Sequence, residues 1–204
     1  MSLKASIAVF DVGNILLRWD PRNLYVKIFD DPDEMAFFLE EVCTGPWNLE
    51  QDRGRSWEEA IAEASARHPD YAPAIQAYRA RWTEMLGPPI AENVALLETL
   101  RAKGVPCYAI TNFAADTFAL SQARFPFLNG FDGVICSGLE GVVKPDPAIF
   151  RLLLERYGLK AEDCLFIDDS AHNVAGAARL GFNTIHHGLG LDAAGAFRQF
   201  GFPV

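Results

Sequence analysis

Asp11, Thr111, Lys144 and the pair Asp168-Asp169 are the residues whose types, order and setting could combine into chemistry. Asp11 follows the short apolar run Ile7-Ala8-Val9-Phe10, which suits a buried strand, and stands where that strand should end. Thr111-Asn112 follows a second apolar run, and Lys144 precedes Pro145-Asp146-Pro147. Asp168-Asp169 follows Cys164-Leu165-Phe166-Ile167. In that order the four groups read as a phosphoryl-transfer site built around an aspartate nucleophile. Taken singly, each has an ordinary explanation. Asp11 could cap a turn, Thr111-Asn112 could open a helix, Lys144 could be solvated, and Asp169-Ser170 could favour a helix N-terminus. Four such accidents at the edge of one sheet are a poor explanation of the set.

The elements that must position these groups alternate beyond the breaker Gly87-Pro88-Pro89. Residues 92–103 have helical spacing, with Val94, Leu97 and Leu100 on one face, and Gly104 ends them. Residues 105–110 read as a strand, 114–123 as a helix and 133–136 as a strand. Asp146 is a good N-cap with Pro147 at the first helical position, and that helix runs to Tyr157 before Gly158 stops it. Residues 164–167 form a strand, 171–180 a helix closed by Gly181, and 183–186 the last strand. Strands alternating with helices imply an α/β fold with a doubly wound, Rossmann-like parallel sheet. Ligands of such sheets bind beyond the carboxyl ends of the strands, where Asp11, Thr111, Ser137 and Asp168 fall. Between residues 18 and 86 helical stretches dominate, at 57–67 and 74–85, and no clear strand is visible. All four tryptophans, Trp19, Trp47, Trp57 and Trp82, lie here. The expected organisation is a core of residues 1–17 and 87–204 with a helical cap, 18–86, inserted after the first strand.

A chain of 204 residues, half apolar and 22% charged, suits one domain with a sizeable insertion. Its net charge of −9, with no basic cluster, argues against nucleic acid as a partner. An acidic protein that handles phosphate must neutralise it locally, which favours a bound cation. Cys43, Cys107, Cys136 and Cys164 are widely spaced, as in a reduced cytoplasmic protein. The opening residues are too little apolar for a signal peptide, and no segment approaches membrane-spanning length. The expected partner is a small phosphorylated molecule, with no membrane partner, and the chain would act as a monomer or homodimer.

Together the motifs resemble the haloacid dehalogenase-like hydrolase superfamily over essentially the whole chain. The markers are the first-strand aspartate, a Ser/Thr after the second core strand, a downstream lysine and a terminal acidic pair. The opening Asp11-Val12-Gly13-Asn14 is similar to that of sugar-phosphate phosphatases with a small helical cap. The resemblance implies that Asp11 is the nucleophile and that Mg2+ is held by Asp11, Asp168, Asp169 and the Gly13 carbonyl. It further implies that Thr111 and the Asn112 backbone hold phosphoryl oxygens, while Lys144 stabilises charge and orients Asp11. In the cap, residues 47–53 resemble a substrate-facing loop, with Trp19, Trp47, Glu50 and Asp52 as substrate candidates. His68, His172, His186 and His187 read as structural or surface residues.

Most phosphatases of this superfamily use Asp-x-Asp, the second aspartate serving as acid and base. Gly13 removes it. General acid–base help is worth roughly 100- to 10,000-fold. Its uncompensated loss therefore raises the barrier by about 3–5 kcal/mol. A better leaving group or a cap side chain, Glu50 or Asp52, would compensate. Two other readings stay open. A haloacid dehalogenase also uses the first aspartate without a second, but leaves Asp168 and Asp169 as repelling carboxylates with no cation. A non-catalytic or weakly active phosphate-binding protein would explain Gly13 directly.

Overall fold

In the computed structural model, which describes residues 5–204, five strands form one parallel sheet. They are β1 (Ile7–Phe10), β4 (Cys107–Thr111), β5 (Gly133–Cys136), β6 (Cys164–Asp168) and β7 (Asn183–His186), in the order β5-β4-β1-β6-β7. Two further short strands, β2 (Leu17–Trp19) and β3 (Leu86–Pro89), pair antiparallel beside the sheet. Helices α1 (Arg22–Tyr25), α2 (Pro32–Phe37), α3 (Gly45–Asp52), α4 (Trp57–Arg67) and α5 (Ala72–Ala80) lie between β2 and β3. Helices α6 (Ala91–Ala102), α7 (Ala115–Arg124), α8 (Ser137–Glu140), α9 (Pro147–Tyr157), α10 (Ala171–Ala178) and α11 (Ala193–Gln199) follow β3 in turn with the remaining strands.

Alternation along the strands builds the two layers. Ala8 and Phe10 of β1 point into a cluster with Leu97 and Leu100 of α6 and Phe197 of α11. Val9, between them, points to the other face, against Ile149, Phe150 and Leu153 of α9 and Ala177 of α10. Each fully buried aliphatic or aromatic side chain of this kind contributes about 1.5–3 kcal/mol. Helices on both faces make this the doubly wound, Rossmann-like arrangement the alternation implied. Local signals hold as well. The Asp146 carboxylate accepts from the Ala148 N–H at 2.8 Å to open α9, and Gly158 closes it at φ 65°.

Two local expectations are corrected. The breaker Gly87-Pro88-Pro89 belongs to β3, and Trp19 belongs to β2, with Trp19 opposite Leu86 and Leu17 opposite Pro89. Prolines are tolerated because a two-stranded ribbon leaves outward backbone groups that need no N–H. Trp47, read as part of an irregular stretch, lies in α3, whose start Thr44 caps by accepting from the Trp47 N–H at 3.1 Å. The apolar cluster around β1 continues without a break into Leu24, Tyr25, Phe38, Trp47 and Tyr78 of the helical segment. Among the described residues, no helix is long and apolar enough to cross a membrane.

Candidate active site

Parallel pairing puts the ends of β1, β4 and β6 side by side, and a polar residue stands at or just past each end. The Asp11 N–H still bonds the Ile167 carbonyl at 3.0 Å, so the first residue beyond β1 is held as firmly as the strand. Thr111 and Asp168 are the last residues of β4 and β6, both without solvent exposure. Lys144, only 2% exposed, arrives from the loop before α9. Asn112 fixes that loop: its Oδ1 accepts from the Lys144 N–H at 2.8 Å and its Nδ2 donates to the Lys144 carbonyl at 3.1 Å. The Asn112 side chain is thereby committed to the loop, leaving its backbone for any ligand.

The Lys144 ammonium joins the carboxylates. It lies 2.8 Å from Asp11 Oδ1 and 2.7 Å from Asp168 Oδ2. Asp168 Oδ1 accepts from the Ser170 N–H at 2.8 Å and from Asn173 Nδ2 at 3.0 Å. Carboxylate oxygens of Asp11, Asp168 and Asp169 all lie within 4.8 Å of one another. Burial pushes the Asp11 carboxyl up to about 7, with Lys144 pulling it down and Asp168 and Asp169 pushing it further up. Burial and the Asp168 charge also raise Asp169, against the pull of Lys144 and Asn14. For Lys144 burial alone would lower the ammonium, but Asp11 and Asp168 outweigh it and hold it above its usual value.

One lysine against the buried Asp11 and Asp168 and the exposed Asp169 leaves excess negative charge in the site. That donor set, oxygen-only and anionic, fits a hard divalent cation such as magnesium. The buried Thr111 Oγ1 makes no hydrogen bond within the protein, a condition that costs about 1–3 kcal/mol unless a ligand relieves it.

Above these groups opens a cavity of about 160 Å3 lined by Asp11, Gly13, Asp169, Asn112, Phe113, Trp19, Trp82, Asn48 and Asp52 with Asn14. The structure thus brings Trp19 and Asp52 to the cavity but not Trp47 or Glu50. Trp47 is buried edge-on against Tyr78 and Trp57. Glu50 is exposed and paired with Arg53 at 3.5 Å. His172 and His186 are exposed, whereas His187 is partly buried beside Asn93. Sequence reasoning passed over Asn173, Asn48, Phe113 and Trp82. Trp82 follows the end of α5 in a short 3-10 turn, and its ring meets Phe113 edge-on at 5.5 Å.

The wall formed by residues 113–115 depends on Gly138. A Cβ there would lie 2.5 Å from the Ala115 nitrogen and 2.7 Å from the Phe113 carbonyl oxygen, both backbone atoms that cannot step aside. Gly138→Ala is expected to destabilise the protein by about 1–3 kcal/mol. Denaturant unfolding would show the loss; an unchanged midpoint would mean the segment is freer than its packing implies.

The model of the haloacid dehalogenase-like hydrolase family matches residues 9–181. A sesquiterpene phosphatase of Aspergillus oryzae is 26% identical over 179 residues, 88% of this chain and 88% of its own length. Among solved structures, a HAD family enzyme of Bacteroides thetaiotaomicron superposes with a TM-score of 0.75 at 22% identity, covering 96% of this chain and 99% of that one. That enzyme has also been seen in complex with magnesium and inorganic phosphate. A HAD-like family hydrolase of Porphyromonas gingivalis gives a TM-score of 0.70 at 27% identity, covering 96% and 98%.

Proposed function

Because the chain belongs to the haloacid dehalogenase-like hydrolases, we propose that it is a magnesium-dependent phosphatase of a small phosphorylated metabolite, working through an aspartyl-phosphate on Asp11. The observation that carries this reading is the convergence of Asp11, Asp168 and Asp169 on one another beside the buried Lys144. Asp11, Asp168, Asp169 and the Gly13 carbonyl would hold the ion. Bound there, magnesium would neutralise the charge that otherwise keeps a carboxylate nucleophile from a phosphate dianion.

The chain's own residues do the rest. Asp11 attacks phosphorus, splitting hydrolysis into two displacements. Lys144 holds Asp11 Oδ1 in place and favours the ionised form of the nucleophile. Thr111 Oγ1 donates to a phosphoryl oxygen, as does the backbone at Asn112. Residues 18–86 act as a cap over the core, whose described part is residues 5–17 and 87–204, and carry Trp19, Asn48, Asp52 and Trp82 to the leaving group. Aromatic faces beside amide groups, in so small a cavity, suit a compact polar molecule with an apolar face, and a sugar phosphate fits best.

A dehalogenase would use Asp11 in the same way, but it gives the excess carboxylates of Asp168 and Asp169 no counter-charge. A panel of phosphate monoesters, anomeric sugar phosphates among them, separates the two when run beside 2-chloropropionate. Phosphate release is expected with magnesium and not with a chelator. Beryllium fluoride should raise the melting temperature only when magnesium is present. Halide release without metal would overturn the phosphatase reading.

A further inference from the structure

The cavity has an opening where one carboxylate is absent and a carboxylate without a counter-charge in its wall. A Cβ built on Gly13 would meet nothing within 4 Å, so the space beside Asp11 stands open. Of the ten residues lining the cavity, only Asp11, Asp169 and Asp52 carry an acidic side chain. Asp11 and Asp169 belong to the carboxylate cluster. Asp52 does not.

Asp52 is the last residue of α3, and three elements fix it. Its Oδ1 accepts from the Ala114 N–H at 3.0 Å, just past the β4 strand end, and its Oδ2 accepts from Asn48 Nδ2 at 3.1 Å. Its carbonyl accepts from Ser137 Oγ at 2.5 Å. No lysine, arginine or histidine pairs with it among the described residues. The titratable groups packed around it, the Tyr78 hydroxyl and the Cys136 thiol, are themselves raised by burial and stay neutral. Arg53, next along the chain, is turned to Glu50. Burial pushes the Asp52 carboxyl up to about 7, the Ala114 amide only partly opposing it. A carboxyl so placed is divided between its two forms near neutral pH, as an acid/base must be.

We propose that Asp52 is the acid/base of the phosphoryl transfer, giving its proton to the leaving-group oxygen and taking one from the attacking water, in place of the side chain that Gly13 lacks. The assignment rests on the phosphatase reading with Asp11 as nucleophile. In the first displacement an Asp11 oxygen bonds to phosphorus and the bond from phosphorus to the leaving oxygen breaks. The electron pair goes to that oxygen, which takes the Asp52 proton and departs as a neutral alcohol. In the second, water attacks phosphorus while its proton passes to Asp52. The bond to Asp11 breaks, inorganic phosphate leaves, and both carboxyls return to their starting forms.

The competing role for Asp52 is a latch between α3 and the turn after β4. Asp52→Asn separates the two, because it keeps the size, the acceptor for Ala114 and, after rotation of the Asn48 amide, that bond as well. With magnesium present, kcat/KM for an alkyl phosphate should fall on the order of 100-fold or more. The first burst of 4-nitrophenol from 4-nitrophenyl phosphate should survive, since that leaving group needs no proton, while its steady-state release slows. The alkaline limb of the pH–rate profile for the alkyl phosphate, which reports the proton donor, should disappear, while the acid limb set by the nucleophile remains. Gly13→Asp in the Asp52→Asn background should restore much of the loss, since the added side chain enters open space. Unchanged kinetics in Asp52→Asn, or an equal loss with both leaving groups that Gly13→Asp does not repair, would overturn the assignment. A wild-type chain that hydrolyses no phosphate ester would sink the phosphatase reading along with it. Wild-type turnover that Asp52→Asn retains would sink the Asp52 assignment alone.

Discussion

Asp11→Asn should abolish turnover, lowering kcat on the order of 10^4-fold or more, as loss of a nucleophile does in other covalent mechanisms. The reason is geometric as well as chemical. Asp11 is the carboxylate that β1 delivers to the middle of the sheet, one residue past the strand, where the Ile167 carbonyl and Lys144 hold it. An amide there has the same shape but cannot form an acyl phosphate that water then hydrolyses. Intact-mass analysis after mixing with an activated phosphate donor and magnesium should show one added phosphoryl group on the wild type and none on the variant. Turnover in Asp11→Asn comparable to wild type would remove Asp11 from the mechanism.

The same variant has a stability signature of opposite sign. Burial lifts the Asp11 carboxyl from its ordinary range to about 7, so the folded state binds that proton more tightly than the unfolded chain. The resulting stabilisation is complete below the unfolded value and is lost as the pH rises through about 7. With a chelator present, wild type should therefore lose stability between pH 4 and pH 8 to a greater extent than Asp11→Asn. Denaturant midpoints at the two pH values would show it, and parallel curves would contradict it.

The residues at the strand ends were legible because a parallel sheet turns sequence order into spatial order. An apolar run followed by a polar residue marks a carboxyl end, and neighbouring ends converge whatever lies between them. Asp11, Thr111 and Asp168 meet for that reason, although 157 positions separate the first from the last (168 − 11). The helical segment was legible only in outline. Glu50 and Asp52 sit two apart on α3, so they point to different sides of it, and nothing local says which side faces the cavity. The choice is made by Asn48, Ala114 and Ser137, two of them more than sixty positions away. Trp47, named as a substrate candidate, misses the cavity for the same reason, and Trp82 reaches it. Trp47 is drawn into the aromatic cluster with Tyr78 and Trp57, while the end of α5 releases Trp82 towards Phe113. Pro88 and Pro89 misled because proline excludes central strands but not a two-stranded edge.

Lys144 holds the site together, and removing it should cost both activity and fold. Its ammonium, almost without solvent contact, is the counter-charge of Asp11 and of the fully buried Asp168. Lys144→Met keeps much of the chain's apolar length but leaves two carboxylates facing each other. Breaking a buried pair from one side destabilises by about 3–5 kcal/mol. The Asp11 carboxyl would respond by holding its proton to higher pH, because it loses the charge that favours its ionised form. Stability in the variant should thus be nearest to wild type in acid, where Asp11 is protonated, and fall further behind as the pH rises. Magnesium should recover part of this deficit, since a divalent cation restores positive charge to the same carboxylates. It should not recover turnover, because Asp11 loses the donor that fixes its oxygen and a group that offsets charge in the transition state. Urea denaturation with and without magnesium, at acid and alkaline pH, tests the first part and steady-state kinetics the second. A Lys144→Met protein as stable as wild type at every pH would mean that the carboxylates do not need the lysine, and that the cation alone organises the site.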